Sequence, residues 1–277
     1  MTKYFLTGVT GRLGASILSS LLNKVPANDV TVGIRNMAKA AQFEVLGVSV
    51  KLTDYTQPDT LTVALEGIDK LMLISGAPGG DVPRTVQHRN VIEAAKQANV
   101  SFIAYTSLTE ADKLKTFLAD DHHDTEKLLI ASGIKYAILR NNWYLENQLD
   151  IIQKAASGSD FINPVGDAKI GWALIREYGE AAANILTMTS PKALYELGGK
   201  PRTYAELASA LAQVVGHEIP VINQDSKLSK HPDIWEKIEW QMQHDIAQGV
   251  LTYHTTDLAD VLGREPADLQ SAIAELL

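Results

Sequence analysis

The sequence predicts an α/β fold: a doubly wound parallel sheet with helices on both faces. Three observations predict it. Short β-branched or apolar runs alternate with amphipathic stretches six times between residues 3 and 139. Alternation of that kind builds a parallel sheet whose right-handed crossovers place helices on both sides. The fourth run, residues 71–74 (LMLI), is apolar without a break, as a strand buried on both faces must be. A length of 277 residues, with 45% hydrophobic and 21% charged composition, is an ordinary globular makeup able to bury a large core.

Each element follows from local pattern. Residues 3–7 (KYFLT) read as the first strand. Leu13, Ile17, Leu18, Leu21 and Leu22 then share one helical face. A second strand covers 29–34 (DVTVGI), a helix 36–46 and a third strand 48–52. Residues 58–65 form a short helix with Pro58 at its first position, where a missing N–H costs least. After the strand at 71–74 comes a helix over 85–98, with Val86, Val91, Ile92, Ala95 and Ala98 inward and His88 read as structural. A strand over 101–106, a helix over 120–131 stopped at Ser132-Gly133, and a sixth strand over 136–139 complete the sheet.

Beyond Arg140 the alternation loosens. Helices are expected over 143–156, 175–188, 204–215, 229–248 and 267–276, and short strands over 194–197 and 219–222, with Gly158, Gly166 and Gly171 punctuating a loop-rich stretch. Ile234, Ile238, Met242 and Ile246 stand four apart as an inward stripe; Trp235 and Trp240 are assigned to packing or a lid. The expected organisation is a sheet domain over 1–155 and a smaller mixed α/β lobe over 156–277, some of whose strands rejoin the sheet.

Composition excludes several function classes. Lys plus Arg number 25 against 33 Asp plus Glu, a formal charge of −8, which argues against a general nucleic-acid or anionic-membrane binder. The absence of cysteine excludes disulfides, zinc–thiolate and iron–sulfur sites and thiol nucleophiles. The start, MTKYFLTGVTGRLG, is broken by Gly8, Gly11 and Arg12, unlike a secretory leader, and no run reaches the ~18 apolar residues of a membrane span. A cytoplasmic location, with neither membrane nor nucleic acid as partner, is expected, in a monomer or homodimer. Gly-x-Ser-x-Gly and His-Glu-x-x-His are both absent, so hydrolase chemistry of those kinds is not supported.

Gly8-Val9-Thr10-Gly11-Arg12-Leu13-Gly14 follows the first strand and opens the first helix. In that setting Gly8 permits a sharp turn, Gly11 a close backbone approach by a pyrophosphate, and Gly14 close packing of helix on sheet. The helix start adds free N–H groups and the positive end of its dipole, and Thr10, Arg12 and Leu13 lie in the same turn. The bland alternative is a glycine-rich turn without a ligand. A Rossmann-type dinucleotide site is the functional one. Arg35 stands about 20 residues on, where an NAD-selective fold carries an acid. A guanidinium there suits a ribose 2′-phosphate, with Lys39 close behind. NADPH is therefore the expected cofactor and NADH a weaker one. Asp54, past the third strand, is placed for adenine; Ile74, Ser75 and Gly76, past the fourth, are placed for the ribose.

The fifth and sixth strands end in Tyr105-Thr106-Ser107 and Arg140-Asn141-Asn142-Trp143-Tyr144, and these ends are expected to face the nicotinamide. Tyr105 and Thr106 are assigned to the cofactor, and Ser107, Asn142, Trp143, Tyr144 and Asn147 to the substrate. Trp143 and Tyr144 serve either as an aromatic wall for a planar molecule or as core. No tyrosine has Lys four residues later, so carbonyl reduction by a tyrosine–lysine acid is not supported. Hydride transfer to an electron-poor acceptor needs mainly orientation, which favours quinones and cationic dyes. His122, Lys127 and Tyr144 are the candidates for proton delivery; Glu126, one turn from His122, could orient its imidazole. The alternative for this stretch is a solvated helix start, Asp120-Asp121-His122-His123-Asp124. No metal site is expected, because adjacent helical residues point apart.

Taken together, GVTGRLG at 8–14, Arg35-Asn36, LMLIS at 71–75, QHRN at 87–90, AYTSL at 104–108, HHDTEK at 122–127 and LRNNWYLEN at 139–147 are familiar. The chain resembles the NmrA-like branch of atypical short-chain dehydrogenases, in particular its bacterial NAD(P)H:quinone oxidoreductase type 2 and triphenylmethane reductase group. The resemblance implies NADPH along the first three strand ends and a substrate cleft lined by Asn142, Trp143, Tyr144 and the C-terminal lobe. His122 falls where many short-chain dehydrogenases carry an active-site lysine, and Lys127 matches the quinone reductases. The activity implied is NADPH-dependent hydride transfer to a quinone-like small molecule. The family also holds members that sense NADP(H) without turnover, so a redox-sensing regulator acting through a protein partner is the alternative. A nucleotide-sugar or flavonoid-type reductase is a third, weaker reading.

Overall fold

The computed structural model describes residues 1–114 and 116–277. The side chains of Phe117 and Ile234 are outside that set, so the first member of the stripe expected at Ile234, Ile238, Met242 and Ile246 lies outside the described residues. Two compact units divide the chain: Met1–Asn141 with Arg176–Tyr195, and Asn142–Ile175 with Glu196–Leu277. Against the expected 1–155 and 156–277, residues 142–155 group with the second unit and 176–195 with the first.

The first unit alternates as its sequence predicts: β1 (Tyr4–Leu6), α1 (Arg12–Leu22), β2 (Val30–Ile34), α2 (Ala41–Glu44), β3 (Ser49–Leu52), α3 (Pro58–Leu65), β4 (Lys70–Leu73), α4 (Arg84–Gln97), β5 (Phe102–Leu108), α5 (Phe117–Ala131) and β6 (Lys135–Asn141). After α6 (Leu149–Ala156) and β7 (Phe161–Asn163) of the second unit, the chain supplies α7 (Ile175–Thr187) and β8 (Leu194–Leu197). The sheet has seven strands in the order β3-β2-β1-β4-β5-β6-β8, and β1 to β6 pair in parallel. The order reverses direction at β1 and β4, the place where doubly wound folds bind ligands beyond the carboxyl ends of their strands. Phe5, Leu61, Leu65, Leu71, Leu73, Val91, Ile92, Ile103, Leu129 and Ile138 form one core of this unit.

Local hydrogen bonds set the boundaries that periodicity misplaces. The helix expected over 36–46 breaks into a 3-10 turn at Met37–Lys39 and the short α2, because Asn36 Oδ1 accepts from Ala38 N–H at 3.0 Å and starts a tight turn. α5 begins at Phe117 rather than 120, capped by Thr116 Oγ1, which accepts from Ala119 N–H at 3.1 Å. β5 and β6 run past their expected ends because they pair continuously from Phe102↔Lys135 to Leu108↔Asn141. That extension carries Ser107 and Arg140 into the sheet as buried neighbours.

In the second unit β9 (Val221–Asn223) pairs in parallel with β7 as a separate two-stranded sheet. The same unit holds α6, α8 (Tyr204–Val215), α9 (Ile234–Ala247), α10 (Asp257–Leu262) and α11 (Leu269–Leu276). Ile152, Phe161, Trp172, Leu174, Tyr204, Leu207, Leu211, Ile246 and Ile273 make its core. β7 and α10, with three and six residues, are too short for a periodic signal. Trp235 is 56% exposed, so it takes no part in packing; Trp240 stacks on His244 with centroids 5.7 Å apart.

Candidate functional site

The three glycines of the first loop are there for three different reasons. Gly8 has φ +64°, the left-handed region that glycine reaches without strain. A Cβ on Gly14 would lie 2.2 Å from Gly8 O and 2.8 Å from Val9 Cα, so only glycine lets α1 pack on the turn. At Gly11 nothing in the protein forbids a side chain: a Cβ would meet only Gly8 O, at 3.5 Å. Gly11 is the N-cap of α1, and no side chain caps the helix. The first amides of α1 precede the Ala15 N–H bond to Gly11 O at 2.9 Å, so they face outward unbonded in the way that suits an anion. Thr10, Gly11 and Arg12 are exposed and Leu13 is half-buried.

Arg12, Arg35 and Lys39 are exposed, and none forms an ion pair or side-chain hydrogen bond with any described residue. Arg35 directly follows β2; burial pushes the Tyr55 hydroxyl pKa up, opposed by a hydrogen bond from the Thr7 side chain and by the Arg35 charge. Asp54 spends one oxygen on Thr56, accepting from its N–H at 2.9 Å and its hydroxyl at 2.8 Å; it shapes the turn after β3.

Past β4 the backbone is tied by side chains from four elements. Thr7 Oγ1, just beyond β1, accepts from Ile74 N–H at 3.0 Å and donates to Met72 O at 3.1 Å. Thr106 Oγ1 of β5 accepts from Ser75 N–H at 2.9 Å. His88 Nε2 of α4 accepts from Gly76 N–H at 3.0 Å. Tyr55 OH donates to Ile74 O at 2.9 Å. Thr7 and His88 were not assigned to the site from sequence. His88 did carry a signal, since its spacing places it on the same helix face as Val91, Ile92 and Ala95, a polar group within an apolar stripe.

His122 and Tyr105 come together, with Tyr105 OH 2.8 Å from His122 Nδ1. Tyr105 is fully buried, and burial pushes its pKa up, so it keeps its proton. That hydroxyl has two partners within reach, His122 Nδ1 and the Thr125 side chain. With Tyr105 donating to Nδ1, the donor–acceptor accounting of a neutral imidazole places the His122 proton on Nε2. Nε2 bonds no described residue. Burial, reinforced by the Arg84 guanidinium and by His88, holds the His122 pKa well below the ordinary histidine value. The ring is thus a neutral donor.

Glu126 does not orient His122 as expected. Its Oε1 accepts from Ser107 Oγ at 2.6 Å and Arg140 Nε at 2.9 Å, and its Oε2 from Arg140 Nη2 at 2.6 Å. Ser107 and Arg140 are register neighbours on β5 and β6, and α5 lays the carboxylate across both. Asp112 pairs with Arg140 Nη1 at 2.5 Å, and the guanidinium holds the Asp112 carboxyl below its usual range against a burial effect that would raise it. Lys127, one residue from Glu126, faces solvent instead; its side chain is 60% exposed and pairs with Asp124 at 3.0 Å. The helix brings His122 to Tyr105 and leaves Lys127 on the opposite, solvent side.

The expected substrate residues beyond Ser107 belong to the second unit. Asn142 is buried, and its amide is spent: Nδ2 donates to Leu251 O at 3.1 Å and Oδ1 accepts from Trp143 N–H at 2.8 Å. Gly171 and Gly198 close around it, since a Cβ on either would lie 2.9 Å from Asn142 atoms. Trp143 packs half-buried on the core of this unit, Tyr144 bridges to Ala173 in parallel, and Asn147 is exposed. Asn147 joins Gln148, Tyr204 and Glu239 in lining a cavity of about 660 Å³ within this unit.

Comparison with known proteins identifies the family. Residues 8–166 match the family described as NAD(P)H-binding. Quinone oxidoreductase 2 of Escherichia coli is 43% identical over 220 residues, 79% of this chain and 76% of that protein. The crystal structure of an NADPH-dependent quinone oxidoreductase from Escherichia coli complexed with NADPH superposes with TM-score 0.92 at 36% identity, covering 99% of each chain. The triphenylmethane reductase of Citrobacter sp. superposes equally, TM-score 0.92 at 29% identity and 99% coverage of each chain. The chain belongs to the NAD(P)H-binding, NmrA-like family.

Proposed function

We propose that the chain is an NADPH-dependent oxidoreductase that passes hydride to a quinone or a similar electron-poor conjugated acceptor. The observation that carries the reading is its 43% identity, over 79% of the chain, to a quinone oxidoreductase. The residues present fit the cofactor. Gly11, which the protein's own packing does not require, leaves the uncapped start of α1 open to a pyrophosphate. Arg35, with Lys39, offers an unpaired cation to a 2′-phosphate, and a guanidinium can take such a group bidentately. Ser75 and Gly76 lie where a ribose would pass, and Asp54 and Tyr55 where adenine would.

NADPH supplies the hydride when bound; the chain supplies orientation and charge stabilisation. His122 offers Nε2–H to an acceptor oxygen on which negative charge develops, and a neutral donor held in place needs no rearrangement to do so. Tyr105, by donating to Nδ1, favours that tautomer. The missing tyrosine–lysine acid agrees with an acceptor that is already electron-poor. Lys127, paired with Asp124 at the surface, has no part in the scheme. Ser107 and Asn142 hold the frame through their internal bonds. We place the activity in the cytoplasm, in a monomer or homodimer.

The test is NADPH oxidation, followed by nicotinamide absorbance, with and without a simple benzoquinone, beside NADH and a heat-killed control. Quinone-dependent turnover, faster with NADPH, is expected. Tight NADPH binding without turnover on any of several quinones and dyes would overturn the reading in favour of a redox-sensing regulator.

A further inference from the structure

We infer that His88 is a positioning residue that locks the 74–76 segment so that its backbone offers a ligand carbonyl oxygens and no amides. This rests on the NADPH reading and refines how that cofactor is held. Three successive N–H groups, those of Ile74, Ser75 and Gly76, are each consumed by a different side chain: Thr7, Thr106 and His88. The Ile74 carbonyl is taken by Tyr55. The Ser75 and Gly76 carbonyls accept from no described residue. Such a surface repels phosphate and accepts hydroxyl groups. Division of labour follows: phosphates go to the amides of α1, and ribose hydroxyls to the carbonyls past β4.

His88 fixes the third of these bonds through a relay with one permitted direction. Gly76 N–H requires a bare lone pair on Nε2, so the proton of the neutral ring sits on Nδ1. Nδ1–H donates to Thr125 Oγ1 at 2.9 Å, and the Thr125 hydroxyl donates onward to Asp121 O at 2.8 Å. Tyr55 and Tyr105 meet the imidazole edge-on, with centroids 6.2 and 5.6 Å away, and the ring is fully buried. One tautomer in one orientation therefore connects the loop to α5. Gly76 itself has room on its outer side: a Cβ would meet its nearest heavy atom at 3.6 Å, so the protein interior does not demand glycine there.

Two variants separate positioning from packing. In His88→Gln the amide oxygen reaches the place of Nε2 and keeps an acceptor for Gly76. In His88→Asn the shorter chain reaches only the place of Nδ1, keeps Thr125 and strands the Gly76 N–H. Both remove the ring, so both lose thermal stability. NADPH affinity, read by fluorescence titration, is expected to fall about tenfold in the Asn variant, the size of effect that follows from an unmet buried donor, and to stay within about threefold in the Gln variant. Amide exchange at Gly76 is expected to quicken in the Asn variant alone. Equal NADPH loss in both variants, no loss in the Asn variant, or unchanged Gly76 exchange there would overturn the inference. Wild-type protein that fails to bind NADPH would instead overturn the functional reading on which it rests.

Discussion

His88 and His122 are buried in surroundings that disfavour the cation, and this makes them costly in acid. Burial, with the Arg84 charge added, lowers His88 to a pKa of about 3, and His122 is likewise held well below its ordinary value. An unfolded histidine titrates near 6.5. Between the folded and unfolded pKa values the unfolded chain binds protons that the folded chain does not. Stability therefore rises with pH through that window, is complete above about 6.5, and is lost as pH falls toward 3. Each histidine contributes a slope of up to about 1.4 kcal/mol per pH unit. Urea denaturation at several pH values from neutral down to about 5 should show this loss, and His88→Gln should show a shallower one. A slope unchanged in the variant would mean that His88 is protonated in the folded state. Arg35 acts through charge in the opposite way, as a cation without an internal partner. Arg35→Glu should weaken NADPH by at least about tenfold, more than one strong charge-assisted bond, and leave NADH nearly unchanged. Equal loss of both would remove Arg35 from the 2′-phosphate role.

At the scale of elements, α1 separates two kinds of glycine that a sequence motif treats alike. Gly14→Ala would drive a Cβ to within 2.2 Å of Gly8 O, so it should destabilise the fold by about 1–3 kcal/mol, the usual cost of overpacking. Gly11→Val meets no such clash and should fold with a near-normal melting temperature while losing both NADPH and NADH. Intact binding in the second variant would show that the loop does not cradle phosphate, and loss of its fold would show that packing requires Gly11 after all. The long periodic elements were legible because an inward stripe needs only spacing: α3 and α8 match their expected bounds, and so does β8. Boundaries set by one side chain, as at Asn36 and Thr116, were not. Nor was the partner of Glu126. Sequence spacing suggested His122 one turn away, but the register that sets Ser107 beside Arg140 gives the carboxylate two donors that no local pattern announces. Removing Glu126 would take from Arg140 its buried partner and leave the more exposed Asp112, and breaking a buried pair at one end is the costly case.

At the scale of the whole molecule, the glycine loop, the free cations, the locked 74–76 segment and the Tyr105–His122 pair all belong to one of the two compact units, Met1–Asn141 with Arg176–Tyr195. The sequence showed the strand ends on which they stand, because alternation and glycine spacing are local, and the expected return of a later strand to the sheet is met by β8; it did not show that α7 returns with it, because that depends on contacts between distant segments. The concentration of the site makes a physical prediction. A ligand that binds only the folded state stabilises it by mass action, by about 2.7 kcal/mol at one hundred times its dissociation constant. NADPH at that ratio should raise the melting temperature, and the added protection from amide exchange should be greatest at the start of α1, at the end of β2 and across residues 74–76. NADP⁺ should protect the same amides, since phosphates and ribose are common to both redox forms. Protection spread evenly over both units, or confined to the second, would place the cofactor elsewhere than on the carboxyl ends of β1, β2 and β4.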